Sequence, residues 1–139
     1  LQSEIPSLNT FVTLSPVPGF MRWLSKSEPD LSSLISEDNW IKSASKHRNK
    51  LESAMAKYTL ISDRKDKAAN DPVARFHLGN GATVHRFNYL GDISENGITQ
   101  SAGIMINYLY ELTTIDRNHE NYANTKEILA SEAIHKLNV

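Results

Sequence analysis

Two short segments hold the side chains of this sequence best suited to chemistry. In Asp71-Pro72-Val73-Ala74-Arg75-Phe76-His77-Leu78-Gly79-Asn80-Gly81-Ala82, one histidine sits between two apolar residues and is followed by Gly-Asn-Gly. Imidazole titrates near neutrality, so it can give or take a proton at physiological pH. In Phe11-Val12-Thr13-Leu14-Ser15-Pro16-Val17-Pro18-Gly19-Phe20, a hydroxyl stands at the end of an apolar run and just ahead of two prolines. A hydroxyl held in one direction can donate to, or accept from, a reacting group.

The neighbouring residues indicate how each group is positioned. Asp71 suits an N-cap and Pro72 the first turn of a helix. Gly79 and Gly81 suit its end, because glycine tolerates positive φ. His77 is then expected near the end of a short helix, beside a loop able to approach a ligand. Phe11, Val12 and Leu14 favour a strand. Pro16 and Pro18 push Ser15 and Val17 into extended backbone, which aims Ser15 from the strand's end. Each segment also has a plainer reading: a packed, hydrogen-bonded histidine, and an ordinary Ser-Pro turn.

The rest of the chain reads as alternating helices and strands. A strand is expected over 10–14 and a helix over 19–25, with Phe20 and Trp23 on one face. Further helices are expected over 30–43, capped by Asp30, and over 46–62, with Leu51, Met55, Tyr58 and Ile61 at helical spacing. Residues 63–67 read as a charged loop. Residues 83–90 alternate, with Val84, Arg86, Asn88 and Leu90 on one face. Asp92 and Ser94 suit the cap of a short helix. Ile104, Ile106, Tyr108, Tyr110 and Leu112 suit one face of a strand, with Asn107 on the other. Thr125 suits the cap of a last helix carrying Leu129, Ala133 and Leu137. The class is α/β (α+β), with about three strands and five helices by this pattern.

Composition narrows the field. With 139 residues, the chain is one domain or part of one. A net charge of −1 implies no basic stripe for nucleic acid, and there is no cysteine for a disulfide, a zinc-thiolate site or a thiol nucleophile. No apolar run approaches a membrane span. His47, His85, His119 and His135 have no metal-ligand spacing with one another, so no metal site is expected.

These two segments, with Ser94-Glu95-Asn96-Gly97-Ile98-Thr99-Gln100-Ser101-Ala102-Gly103-Ile104-Met105-Ile106-Asn107-Tyr108-Leu109-Tyr110, resemble the C-terminal catalytic region of the malonyl-CoA decarboxylase family. The family carries close versions of all three, in the same order: Leu-Ser-Pro-x-Pro-Gly-Phe, Asn/Asp-Pro-Val-Ala-x-Phe-His-Leu-x-Asn-Gly-Ala, and Ser-x-x-Gly…Asn-Tyr-x-Tyr. The resemblance is strong over 8–24 and 70–112 and weaker over 25–69 and 113–139.

The resemblance implies the C-terminal portion of an acetyltransferase-like mixed sheet with flanking helices. Residues 1–139 would be the C-terminal part of the catalytic domain. The family's N-terminal helical domain and the first half of its catalytic domain are not in this chain. The opening Leu1-Gln2-Ser3-Glu4-Ile5-Pro6 reads as a helix tail stopped by proline, so a fragment of an enzyme, or one piece of a split enzyme, is expected. Three strands would leave an edge and a face of the sheet for other residues to cover.

The resemblance also implies decarboxylation of malonyl-CoA to acetyl-CoA and CO2 by Ser15 and His77 as a catalytic pair facing one cleft, with a small acyl group between them. The thioester carbonyl can hold the carbanion's charge as an enolate, so no metal or organic cofactor is needed. Tyr110, Asn80, Asn107, Gly79 and Gly81 are the expected substrate contacts. The expected partners are malonyl-CoA and the remainder of the same enzyme or another chain, with neither nucleic acid nor membrane. The full-length form is expected to be a homo-oligomer in the cytoplasm, or in a mitochondrion if the source is eukaryotic. Two alternatives stay open: an acyltransferase using a CoA thioester, which would need an acceptor where a decarboxylase needs none, and a non-catalytic interaction module that keeps the fold.

Overall fold

The computed structural model describes residues 9–37 and 39–138; the expected helix tail at the start lies outside them. Its frame is a three-stranded antiparallel sheet of β1 (Thr10–Ser15), β2 (Thr83–Asn88) and β3 (Met105–Glu111), in the order β1-β3-β2. The helices are α1 (Phe20–Ser27), α2 (Pro29–Leu34), α3 (Ala44–Leu60), α4 (Pro72–Gly79), α5 (Glu95–Ser101), α6 (Ile115–Thr125) and α7 (Glu132–Leu137). This is the α/β class read from the sequence.

Central β3 shows why one face of the sheet is the core. Its residues alternate, so Ile106, Tyr108 and Tyr110 are buried while Met105, Asn107 and Leu109 are only half-buried. Phe11, Thr13 and Ser15 of β1 lie opposite Tyr110, Tyr108 and Ile106, and so share the core face. Phe20 and Leu24 of α1, Leu51, Met55 and Tyr58 of α3, and Leu78 of α4 belong to the same core. Each large apolar side chain buried this way contributes about 1.5–3 kcal/mol.

The other face is left open among the described residues. It carries Val12 and Leu14, 52% and 58% exposed, opposite Leu109 and Asn107 of β3. The Asn9 carbonyl accepts the Leu112 N–H, so alternate residues of β1 bond to β3 and the backbone of Thr10, Val12 and Leu14 points away from it. Among the described residues β1 is therefore an edge with unpaired backbone groups.

Several elements differ from the sequence reading. The helix expected over 30–43 is interrupted: α2 stops at Leu34 and a 3₁₀ turn spans Trp40–Ser43. Pro29 opens α2, with Glu28 rather than Asp30 at the N-cap. Beyond its end, the Ser36 hydroxyl bonds back to the Ser32 carbonyl, a competition with helical backbone typical of serine. Ile61 lies outside α3, half exposed, because the Asn70 amide donates to the carbonyls of both Tyr58 and Ile61 and closes the helix there.

A β-bulge between Val84 and Arg86 breaks the alternation of β2, so Val84 and Phe87, not Val84 and Arg86, face the core. Thr125 ends α6 instead of capping the last helix. Its hydroxyl bonds to the Asn121 carbonyl, and Ser131 caps α7 by accepting the Ile134 N–H. Leu129 lies before α7, where its carbonyl accepts the Val84 N–H and covers part of the β2 edge.

Candidate active site

Ser15 ends β1 on the core face, and α4 brings His77 to it from across the chain. Two tethers hold α4 at its start. The Asp71 carboxylate accepts the Ala74 N–H at 3.0 Å as the N-cap and the Tyr58 hydroxyl at 3.2 Å. Burial pushes the Asp71 carboxyl above its ordinary range. At the other end, the His77 carbonyl accepts the N–H groups of Asn80 and Ala82, so the backbone at His77 is fixed.

The side chains form one hydrogen-bonded line. Thr13 Oγ1 lies 3.2 Å from Ser15 Oγ, Ser15 Oγ lies 3.0 Å from His77 Nε2, and His77 Nδ1 lies 2.5 Å from the Tyr110 hydroxyl. The imidazole stacks on Tyr108 with centroids 4.4 Å apart and planes 22° apart, and Phe11 stacks on Tyr110 at 4.8 Å. Ser15, His77, Tyr108 and Tyr110 are all buried.

Burial lowers the His77 pKa and raises those of Tyr110 and Tyr108, so the line is uncharged at neutral pH. A neutral imidazole has one donor and one acceptor nitrogen. The protons therefore run one way along the line: Ser15 O–H to Nε2 with Nδ1–H to Tyr110, or Tyr110 O–H to Nδ1 with Nε2–H to Ser15. Either order lets a proton move between the serine and the tyrosine through the ring.

The expected gap between Ser15 and His77 is not there. A 3.0 Å contact leaves no room for an acyl group between hydroxyl and ring. Both ring nitrogens are engaged and one ring face is covered by Tyr108. Three cavities of the described residues, of about 200 to 470 Å³, are lined by other residues.

The other expected contacts do other work. Asn107 lies on the opposite face of the sheet, where its amide donates to the Thr13 carbonyl and its oxygen accepts from Asn88, tying the three strands together. Asn80 is exposed at the end of α4 and donates to the Phe76 carbonyl. Gly79 ends the helix without positive φ, and its carbonyl accepts from His119 Nδ1. Gly81 does take φ +94°, and any side-chain carbon there would collide with the Ile115 carbonyl oxygen. Its own N–H donates to the Leu78 carbonyl, and its C=O accepts from the Asn118 amide.

Two members of the site, Thr13 and Tyr108, were not singled out in the sequence. The period of two was the available signal, since each lies two residues from a site residue on the same strand face. The buried Tyr108 hydroxyl has no hydrogen-bond partner among the described residues. Among those residues no three His, Asp or Glu side chains converge as metal ligands, and no helix is long and apolar enough to cross a membrane.

Comparison with known proteins bears on this arrangement. Residues 1–138 match the family described as malonyl-CoA decarboxylase C-terminal domain. The chain is 34% identical to the mitochondrial malonyl-CoA decarboxylase of Anser anser anser and 33% identical to that of Mus musculus, over 96% of its own length in both cases. It spans about a third of the length of these relatives, 33% and 34%. The crystal structure of malonyl-CoA decarboxylase from Rhodopseudomonas palustris superimposes with a TM-score of 0.87 at 40% identity, covering 98% of this chain and 35% of that one. The corresponding structure from Agrobacterium vitis gives 0.88 at 39% identity, covering all of this chain and 38% of that one. With its whole described fold and nearly every residue matched in this way, the chain belongs to the malonyl-CoA decarboxylase family, within its C-terminal domain.

Proposed function

We propose that the full-length protein decarboxylates malonyl-CoA to acetyl-CoA and CO2, and that Ser15 and His77 handle the proton. The names of its relatives support the reaction, and the Ser15–His77 hydrogen bond carries the assignment of the pair. Cleavage of the C–C bond releases CO2 and leaves its electron pair on the α-carbon, conjugated with the thioester carbonyl as an enolate. One proton must then reach that carbon. The thioester is the electron sink, so the reading needs no metal or organic cofactor.

In this reading Ser15 is the group that meets the substrate, because both nitrogens of His77 are engaged. Its hydroxyl gives a proton to the α-carbon and recovers one from Nε2–H. The ring is restored through Nδ1 by the Tyr110 hydroxyl, which regains its proton from solvent. Tyr110 is thus a proton carrier behind the pair, not a substrate contact. The open edge and face of the sheet are covered by the rest of the polypeptide or another chain, and the full-length form is a homo-oligomer. Its compartment is the cytoplasm or, as in the named vertebrate relatives, the mitochondrion.

The test is CO2 and acetyl-CoA release from malonyl-CoA by the full-length protein, with no amine or alcohol acceptor present. One CO2 per acetyl-CoA is expected. Ser15→Ala and His77→Asn should each lower kcat by about 10²–10⁴-fold. Absence of CO2 release by the wild type would overturn the activity, and unchanged turnover in either variant would overturn the role of that residue.

A further inference from the structure

Thr13 is the one member of the hydrogen-bonded line to which the proposed relay gives no part. It lies two residues before Ser15 on the same face of β1, opposite Tyr108 in the register. Its Oγ1 is 3.2 Å from Ser15 Oγ, and among the described residues Ser15 is the one hydrogen-bond partner of that hydroxyl. The Asn107 amide holds the strand there by donating to the Thr13 carbonyl at 2.9 Å. Threonine is branched at Cβ, which restricts the directions its hydroxyl can take. We propose that Thr13 is a positioning residue whose hydroxyl donates to Ser15 and stabilises the charge left on that oxygen when Ser15 gives up its proton.

This role rests on the decarboxylation reading. In that reading the O–H bond of Ser15 breaks, a C–H bond forms at the α-carbon, and the electron pair of the O–H bond stays on the serine oxygen. A hydroxyl has one proton and two acceptor sites. If Ser15 donated its proton to Thr13, none would be directed at the substrate, so Thr13 is the donor of the two. The Nε2–H of His77 takes the second acceptor site. The serine oxygen is then met by two donors, one from β1 and one from α4. A hydrogen bond to a charged oxygen is shorter and about twice as strong as one to a neutral oxygen, so both donors favour the charged serine. Ser15 is buried and Thr13 half-buried, which strengthens the bond further by limiting competition from water.

The test compares Thr13→Val, which keeps the shape and loses the hydroxyl, with Thr13→Ser, which keeps the hydroxyl and loses the methyl. The assay is CO2 release from malonyl-CoA by the full-length protein, with melting temperature as the folding control. Thr13→Val should lower kcat about 10–10²-fold with KM within about twofold, and Thr13→Ser should stay within about threefold of wild type in both. If Thr13→Val melts below the assay temperature, Thr13→Ala replaces it, because it differs from Thr13→Ser by the hydroxyl alone and should show the same loss relative to it. An active wild type with kcat unchanged in the folded variant lacking the hydroxyl would overturn the role of Thr13 and leave the decarboxylation reading standing. An equal loss of kcat in Thr13→Ser would make Thr13 a packing residue, and a raised KM at unchanged kcat would make it a substrate contact; either result also overturns the role. Absence of CO2 release by the wild type would overturn both together.

Discussion

Ser15 Oγ and His77 Nε2 are hydrogen-bonded at 3.0 Å although 62 residues separate them in the chain. The contact joins the end of an edge strand to the last turn of a helix, and it is completed on the far side of the ring by Tyr110. A ring engaged at both nitrogens is held in one orientation, the geometry on which the proposed proton relay rests.

Replacing Tyr110 with Phe tests that order. The ring loses its Nδ1 partner while the packing against Phe11 is kept. In the full-length protein the proposed relay requires kcat to fall about 10–10²-fold with KM within twofold. The unpaired buried nitrogen should also cost about 1–3 kcal/mol, read as a lower midpoint in denaturant. A raised KM with unchanged kcat would instead make Tyr110 a substrate contact.

The acid side of the pH profile should report His77. Burial holds its folded pKa below the ordinary histidine value of about 6.5. The neutral ring that the relay needs therefore persists below that pH, and the acid limb of kcat should have an apparent pKa under it. Stability carries the same sign. Between the folded and unfolded pKa values the unfolded chain binds the extra proton, so the stabilisation is present above the unfolded pKa and is lost as pH falls through the folded one. In His77→Asn both the limb and this part of the stability–pH slope should disappear.

Two glycines near the site should behave oppositely. Gly81→Ala forces a side chain into positive φ and against the Ile115 carbonyl, and should destabilise the fold by about 1–3 kcal/mol. Gly79→Ala meets open space without positive φ, and should be neutral or stabilise by about 0.4–1 kcal/mol. Thermal melts of the two variants compare them directly.

The open side of β1 should govern association of the 139-residue chain by itself. Among the described residues Val12 and Leu14 present apolar surface next to unpaired backbone, a combination that pairs with other strands. Light scattering should show oligomers growing with concentration. Val12→Lys with Leu14→Lys should shift the population toward monomer, because edge lysines oppose strand pairing. A stable monomer of the unaltered chain at high concentration would count against this account.

Local chemistry made much of the fold readable. Asp71-Pro72 announced α4, Ser94 announced α5, and the alternation from Ile104 marked the buried face of β3. Where the reading failed, a non-local contact or a weak pattern was responsible. The bulge in β2 shifts one residue against a partner strand and leaves no mark in the alternation itself. α6 has few apolar residues, and its buried Asn118 and Tyr122 bond to the Gly81 carbonyl and the Ala69 N–H from distant segments. Its amphipathic stripe is too thin to see without those partners.

For the site, the sequence by itself determined which groups could act and how rigidly each is held. Ser15 before two prolines, and His77 between apolar neighbours in a capped helix, follow from backbone restrictions that act over a few residues. Only the tertiary structure decided which of the candidates meet. The antiparallel register of β1 and β3 sets Thr13 and Ser15 on the same face as Tyr108 and Tyr110, and α4 packs there with His77. The same register sends Asn107 to the opposite face, although it adjoins Tyr108 in the chain. Side-chain direction alternates along a strand, so adjacency in sequence separates residues that pairing two apart brings together.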